Sequence, residues 1–135
     1  MPLSSSQRQT LLDLVGEKGE VRFDEPMARH STLRVGGPAD AWVAPGNIDR
    51  LAAIRRFCSE SGLACRALGS GSNILVQDGG IRGVVLATER LRGLQFFDPA
   101  PDDPRTPVFV EAGVSTGKLL SEATRRSLGG VEFLG

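Results

Sequence analysis

Residues 69–73 read Gly-Ser-Gly-Ser-Asn and stand between two short apolar runs, 65–68 and 74–76. The run reads as a loop from strand to strand, because Ile74, Leu75 and Val76 resemble a strand rather than the start of a helix. Glycine alternating with short polar side chains lets successive backbone N–H groups face one concavity unobstructed. Such a nest suits a phosphate. Gly69 and Gly71 permit close backbone approach, Ser70 and Ser72 carry hydroxyls, and Asn73 offers an amide or accepts a left-handed backbone. A hydrogen bond to a charged oxygen contributes about 1.5 to 3 kcal/mol, so three or four of them anchor a diphosphate without a lysine.

The nearest generic pattern is the dinucleotide fingerprint GxGxxG, and Glu89 even falls at the spacing of its ribose-binding carboxylate. That pattern does not fit. Ile74 occupies the third glycine position, and an apolar strand-like run follows where the fingerprint needs a helix N-terminus. Tight turns between strands share the loop's composition, so the rest of the chain has to decide whether it binds anything.

Around the loop the pattern is mixed α and β. Ser6 with Gln9 makes a capping-box pattern ahead of an apolar side built from Leu11, Leu12, Leu14 and Val15, and residues 16–25 read as a loop or short exposed strand carrying Val21 and Phe23. Residues 39–43 read as a strand. Asn47 then caps an amphipathic helix with Ile48, Leu51, Ile54, Phe57 and Cys58 on one side and Gly62 as its left-handed stop. After the strand 65–68 and the loop, Gly79-Gly80 turns the chain into a third apolar strand, 83–87. Beyond Arg90, residues 94–97 and 108–111 form two strands joined by a Pro- and Asp-rich loop. Ser115 caps a last helix, with Leu119, Leu120, Ala123 and Leu128 on one side and Gly129-Gly130 as its stop. The expected organisation is 1–30 as an N-terminal helix and loop, 31–90 as a first α+β lobe, and 91–135 as the start of an incomplete second lobe.

Sixteen basic and sixteen acidic residues cancel, which argues against a dedicated nucleic-acid binder. No apolar run reaches membrane-spanning length and the N-terminus lacks a signal-peptide pattern, so the expected location is cytoplasmic with no membrane partner. Cys58 and Cys65 lack metal-ligand spacing, and no metal site is nominated.

Four segments, in order, resemble the UDP-N-acetylenolpyruvoylglucosamine reductases. They are Ser31-Thr32-Leu33-Arg34-Val35-Gly36-Gly37-Pro38-Ala39, with Ser31 where the family usually has Asn, then Leu68-Gly69-Ser70-Gly71-Ser72-Asn73-Ile74-Leu75-Val76, then Gly80-Ile81-Arg82-Gly83-Val84-Val85. The fourth is Ala112-Gly113-Val114 with a helix ending in Gly129-Gly130-Val131-Glu132-Phe133. The resemblance implies an α+β, vanillyl-alcohol-oxidase (PCMH) type FAD-binding fold of two lobes, with the FAD diphosphate on the glycine-serine loop. The implied cofactor contacts are Gly69, Ser70, Gly71, Ser72, Asn73, Ile74 and Gly113. It further implies that NADPH supplies a hydride which passes by way of the flavin to the enolpyruvyl double bond of a UDP-sugar, with the protein orienting the substrate and stabilising the developing charge.

The family's next flavin-contacting loop would begin at Gly135, and its turnover residues lie further on. The chain therefore reads as C-terminally truncated and inactive alone, no catalytic residue is nominated, and self-association through uncovered apolar surface is expected. Two other readings stand beside this one: a stand-alone flavin-binding or interaction module, and a different flavin oxidoreductase of the same fold. His30, the single histidine, reads as a surface or structural residue, and Trp42 as core. Arg34 either faces the flavin or pairs within its own domain, and is not nominated. Asp102 and Asp103 suit a solvated turn.

Overall fold

A computed structural model describes residues 2–135, which divide into one unit ending at Leu91 and a second, Arg92–Gly135. In the first, helix α1 (Ser5–Val15) is capped two residues earlier than Ser6: Ser4 accepts the Gln7 N–H, and the Gln7 side chain returns the bond to the Ser4 N–H. The capping box is therefore Ser4–Gln7, not Ser6–Gln9. This choice keeps Leu3, just before the cap, buried in one core cluster with Leu11 and Val15.

Strand β1 (Glu20–Pro26) is an edge strand, antiparallel to β2 (Pro38–Ala44), and turns Val21 and Phe23 onto that same core. Helix α2 (Ile48–Glu60) starts at Asn47, whose side chain accepts the Arg50 N–H. It stops at Gly62, which takes φ +65 while the Leu63 N–H returns to the Cys58 carbonyl at 2.8 Å. Both ends lie where the local sequence places them, since each depends only on neighbours within a turn.

Strands β3 (Cys65–Leu68) and β4 (Ile81–Ala87) run parallel, and the sheet order is β1-β2-β4-β3. Residues 74–76 are not a strand. Strand β4 is flanked by β2 and β3, so no ladder position remains beside it. A parallel pair also requires the chain to travel back from the end of one strand to the start of the next. Residues 69–80 make that return, burying Val76 on the face of the sheet that carries Trp42, Val85 and Ala87. The opposite face holds α1 and α2 against Ala41, Val43, Val84 and Leu86.

Between β2 and β4 the register slips once: Ala39 pairs Ile81 but Ala41 pairs Val84. Gly83, at φ +91, forms the extra step, and the buried Asp40 carboxylate accepts its N–H at 2.7 Å and pairs with Arg82 at 2.8 Å.

Cys58, fully buried at the end of α2, and half-exposed Cys65, at the start of β3, pack in the same cluster. A hydrogen bond from Cys58, opposed by burial and aided by Arg55, draws the Cys65 thiol down to about 7. The same hydrogen bond and burial push Cys58 up. Limited iodoacetamide treatment of the folded protein is therefore expected to label Cys65 with a pH midpoint near that value and leave Cys58 protected. Peptide mapping checks this, and equal labelling of the two contradicts it.

In the second unit, β5 (Leu94–Phe96) and β6 (Val108–Val110) form an antiparallel pair, held at one end by the Gly93 N–H on the Glu111 carboxylate at 2.6 Å. Asp103, in the connecting loop, accepts from the Arg105 backbone and guanidinium, which holds its carboxyl below the ordinary value. Helix α3 (Thr116–Arg125) is capped by Ser115, which accepts the Lys118 N–H. Its stop falls earlier than Gly129-Gly130: Ser127 takes the left-handed position at φ +56, and the Leu128 N–H returns to the Ala123 carbonyl at 2.9 Å. Stopping there keeps Leu128 partly buried beside Ala123. A non-glycine residue in this conformation costs about 1 kcal/mol. Ser127→Gly is accordingly expected to stabilise by about 0.5 to 1 kcal/mol, measured as a rise in the urea midpoint, whereas a fall contradicts the assignment.

Candidate functional site

The loop after β3 is fastened from below. The Thr32 N–H donates to the Gly71 carbonyl at 3.0 Å, and Gly71 is buried with φ +74. A Cβ there would stand 1.9 Å from the His30 carbonyl oxygen. Gly71 is thus the point where the loop sits on residues 30–32, and no other residue fits it. Gly69 differs: a Cβ on it would meet nothing within 4 Å, so its surroundings leave room for another molecule to approach the backbone.

Among the described residues, none of the six consecutive N–H groups from 69 to 74 donates a hydrogen bond. Their side chains do not compensate for this, since the loop's internal side-chain bond runs from Ser70 Oγ to Ser72 Oγ at 3.2 Å. Residues 67–74 line a hollow of about 320 Å³. An unbroken row of free donors around a hollow is an anion site in search of acceptors. No helix follows the loop, so backbone geometry supplies the polarity without a helix dipole, in agreement with rejecting the GxGxxG pattern.

Leu68, Gly69 and Ser70 also line a larger cavity of about 770 Å³, together with Arg29, His30 and Arg34. Its floor is Trp42. The His30 ring stacks on Trp42 with centroids 4.5 Å apart and an interplanar angle of 22°, and Trp42 Nε1 is buried without a hydrogen-bond partner. His30 Nε2 lies 2.9 Å from Glu25 Oε1, and the same buried carboxylate receives Arg22 and Arg29 at 3.3 and 3.5 Å. Burial pushes the Glu25 carboxyl up, but the His30 and Arg22 hydrogen bonds outweigh it and hold the group below the ordinary value of 4.5. His30 is therefore a structural residue, fixed by Glu25 from the side and Trp42 from beneath. Trp42 is core, as its strand position suggests, and also cavity floor, which its strand position does not suggest.

The structure brings Gly69, Ser70, Gly71, Ser72, Asn73 and Ile74 around one hollow. Gly113 lies in the second unit, in the turn between β6 and α3. Sequence reasoning missed the role of residues 30–32 as the seat of the loop. The signal was present in Gly71, but what it packs against is separated by some forty positions. FAD fits what the loop offers: its diphosphate supplies only acceptors, and the loop supplies a row of donors with glycine where bulk is excluded.

The FAD binding domain family matches residues 39–134 of the chain. Over 117 residues it is 41% identical to the UDP-N-acetylenolpyruvoylglucosamine reductase of Geobacter sulfurreducens, covering 87% of this chain and 37% of that protein. It is 42% identical over 116 residues to the enzyme of the same name from Syntrophus aciditrophicus, covering 85% of this chain and 36% of that one. With UDP-N-acetylenolpyruvoylglucosamine reductase 2 of Symbiobacterium thermophilum it shares 40% identity over 129 residues, 96% of this chain and 40% of that one. The chain thus spans well under half the length of the curated relatives it matches. By the extent of the family match, together with a loop built of free donors, the chain belongs to the FAD binding domain family.

Proposed function

We propose that residues 69–74 hold the diphosphate of FAD, and that the chain is the flavin-holding part of a reductase converting UDP-N-acetylenolpyruvoylglucosamine to UDP-N-acetylmuramate with NADPH as hydride donor. The observation that carries the first half is the row of six free N–H groups. The relatives' names support the second half. Division of the chain at Leu91 supports the two-lobed vanillyl-alcohol-oxidase type of fold, and the resemblance adds Gly113 to the proposed flavin contacts. When bound, FAD supplies the hydride relay between NADPH and the enolpyruvyl double bond. What these residues do is bind and orient: Gly69 and Gly71 shape the backbone, Ser70 and Ser72 add hydroxyl donors, and Asn73 adds an amide. None of them is assigned a proton transfer. This reading places the protein in the cytoplasm, where NADPH and nucleotide-linked sugars are available.

Two measurements test it separately. Gel filtration of the purified protein after mixing with FAD, with a visible spectrum of the protein peak and direct titration, is expected to show bound flavin; absence of binding in the titration contradicts the site. Replacing the matching stretch of the Geobacter sulfurreducens relative with this chain tests the reductase half. Sugar-dependent NADPH oxidation is expected there, and a flavin-loaded chimera without it contradicts that half.

A further inference from the structure

We infer that Arg34 is a binding residue for the same ligand, its guanidinium pairing with the anionic diphosphate held by residues 69–74. The inference rests on the reading of that loop as a flavin site.

Charge balance motivates it. A diphosphate brings negative charge, while residues 69–74 contain no cation. The wall shared with the loop carries three basic groups, Arg29, His30 and Arg34, and one carboxylate, Glu89. Two of the basic groups are already committed, since Arg29 and His30 both face the buried Glu25 carboxylate at 3.5 and 2.9 Å. Arg34 has no ion pair or side-chain hydrogen bond among the described residues. It is the cation left over in the lining of a cavity that Gly69 and Ser70, the first two of the free donors, also line.

The backbone supplies an independent argument. Arg34 sits at φ +54 in a turn closed by its own N–H on the Ser31 carbonyl at 3.1 Å, and by Ser31 Oγ on the Val35 carbonyl at 3.1 Å. Glycine or asparagine occupies such a position with less strain. With no intramolecular partner to account for arginine, its presence at a position that disfavours it points to the ligand.

The test uses the property that a structural role and a binding role predict different outcomes. Arg34→Asn keeps a residue tolerant of the left-handed backbone, removes the charge and adds no glycine flexibility. The expected result is a dissociation constant for FAD raised by about 10- to 100-fold, the effect of losing one charge-assisted hydrogen bond. The melting temperature should be unchanged or higher, and the dependence of affinity on salt shallower. Arg34→Lys should recover part of the affinity. Wild-type affinity in Arg34→Asn overturns the inference while leaving the loop assignment intact, and a lowered melting temperature with weakened binding assigns Arg34 a structural role and overturns it as well. Failure of the wild-type protein to bind FAD is instead the failure of the loop reading.

Discussion

Gly71→Ala is expected to cost about 3 kcal/mol or more and to abolish FAD binding. Three causes act together. The new Cβ would stand 1.9 Å from the His30 carbonyl oxygen and 2.9 Å from its carbon, contacts that backbone atoms cannot relieve by a rotamer change. The residue would remain at φ +74, a conformation that itself costs about 1 to 2 kcal/mol for a side chain. Moving the loop away to relieve the clash would break the bond from the Thr32 N–H to the Gly71 carbonyl, leaving two backbone groups to find water. Gly69→Ala is the control. Its Cβ meets nothing within 4 Å, so the unfolding midpoint should stay within about 0.5 kcal/mol of wild type, while FAD affinity falls because the methyl group occupies the ligand's approach. Urea unfolding and FAD titration of both variants check the pair, and a Gly71→Ala protein as stable as wild type would show that the loop is seated differently.

Asp40→Ala carries the next largest effect, about 2 to 4 kcal/mol of stability. Asp40 is 3% exposed, and its carboxylate is the acceptor for the Gly83 N–H at the register slip between β2 and β4. Gly83 is closely packed, with the Ala64 carbonyl oxygen 2.2 Å from where a Cβ at this position would be, which leaves it little room to turn its N–H toward another acceptor. Most of the cost therefore comes from a stranded buried N–H. The Arg82 pair adds less, since that arginine is 57% exposed and also donates to the Pro38 and Gly79 carbonyls at 3.2 Å. Asp40→Asn retains an acceptor and should lose about half as much. The urea midpoint should fall with the denaturant slope unchanged; an Asp40→Ala midpoint within about 0.5 kcal/mol of wild type would remove the carboxylate from its assigned role.

The elements visible in the sequence were those whose determinants are local. Helix α2 is set by Asn47, its apolar spacing and Gly62, all within one short stretch. The misreadings share a different cause. Residues 74–76 have the composition of a strand, yet they fall in the return segment that a parallel β3–β4 pair requires, and β2 and β3 already occupy both sides of β4. At both helix ends that were misplaced, several candidate residues stood in a row, Ser4 to Ser6 and Ser127 to Gly130, and burial of Leu3 and Leu128 selected among them. Composition revealed the loop's donors. It could not reveal the seat beneath them, which joins Gly71 to His30, nor the Glu25, His30 and Trp42 cluster, which is assembled from β1, the turn after it and β2.

The most direct test of the account is a ¹H–¹⁵N correlation spectrum of the isotope-labelled protein titrated with FAD, because it reads the backbone N–H groups on which the argument rests. The account predicts that the amides of Gly69, Ser70, Gly71, Ser72, Asn73 and Ile74 show the largest shifts, moving together as they acquire acceptors. Saturation with FAD that leaves these six amides unmoved while others shift would contradict it.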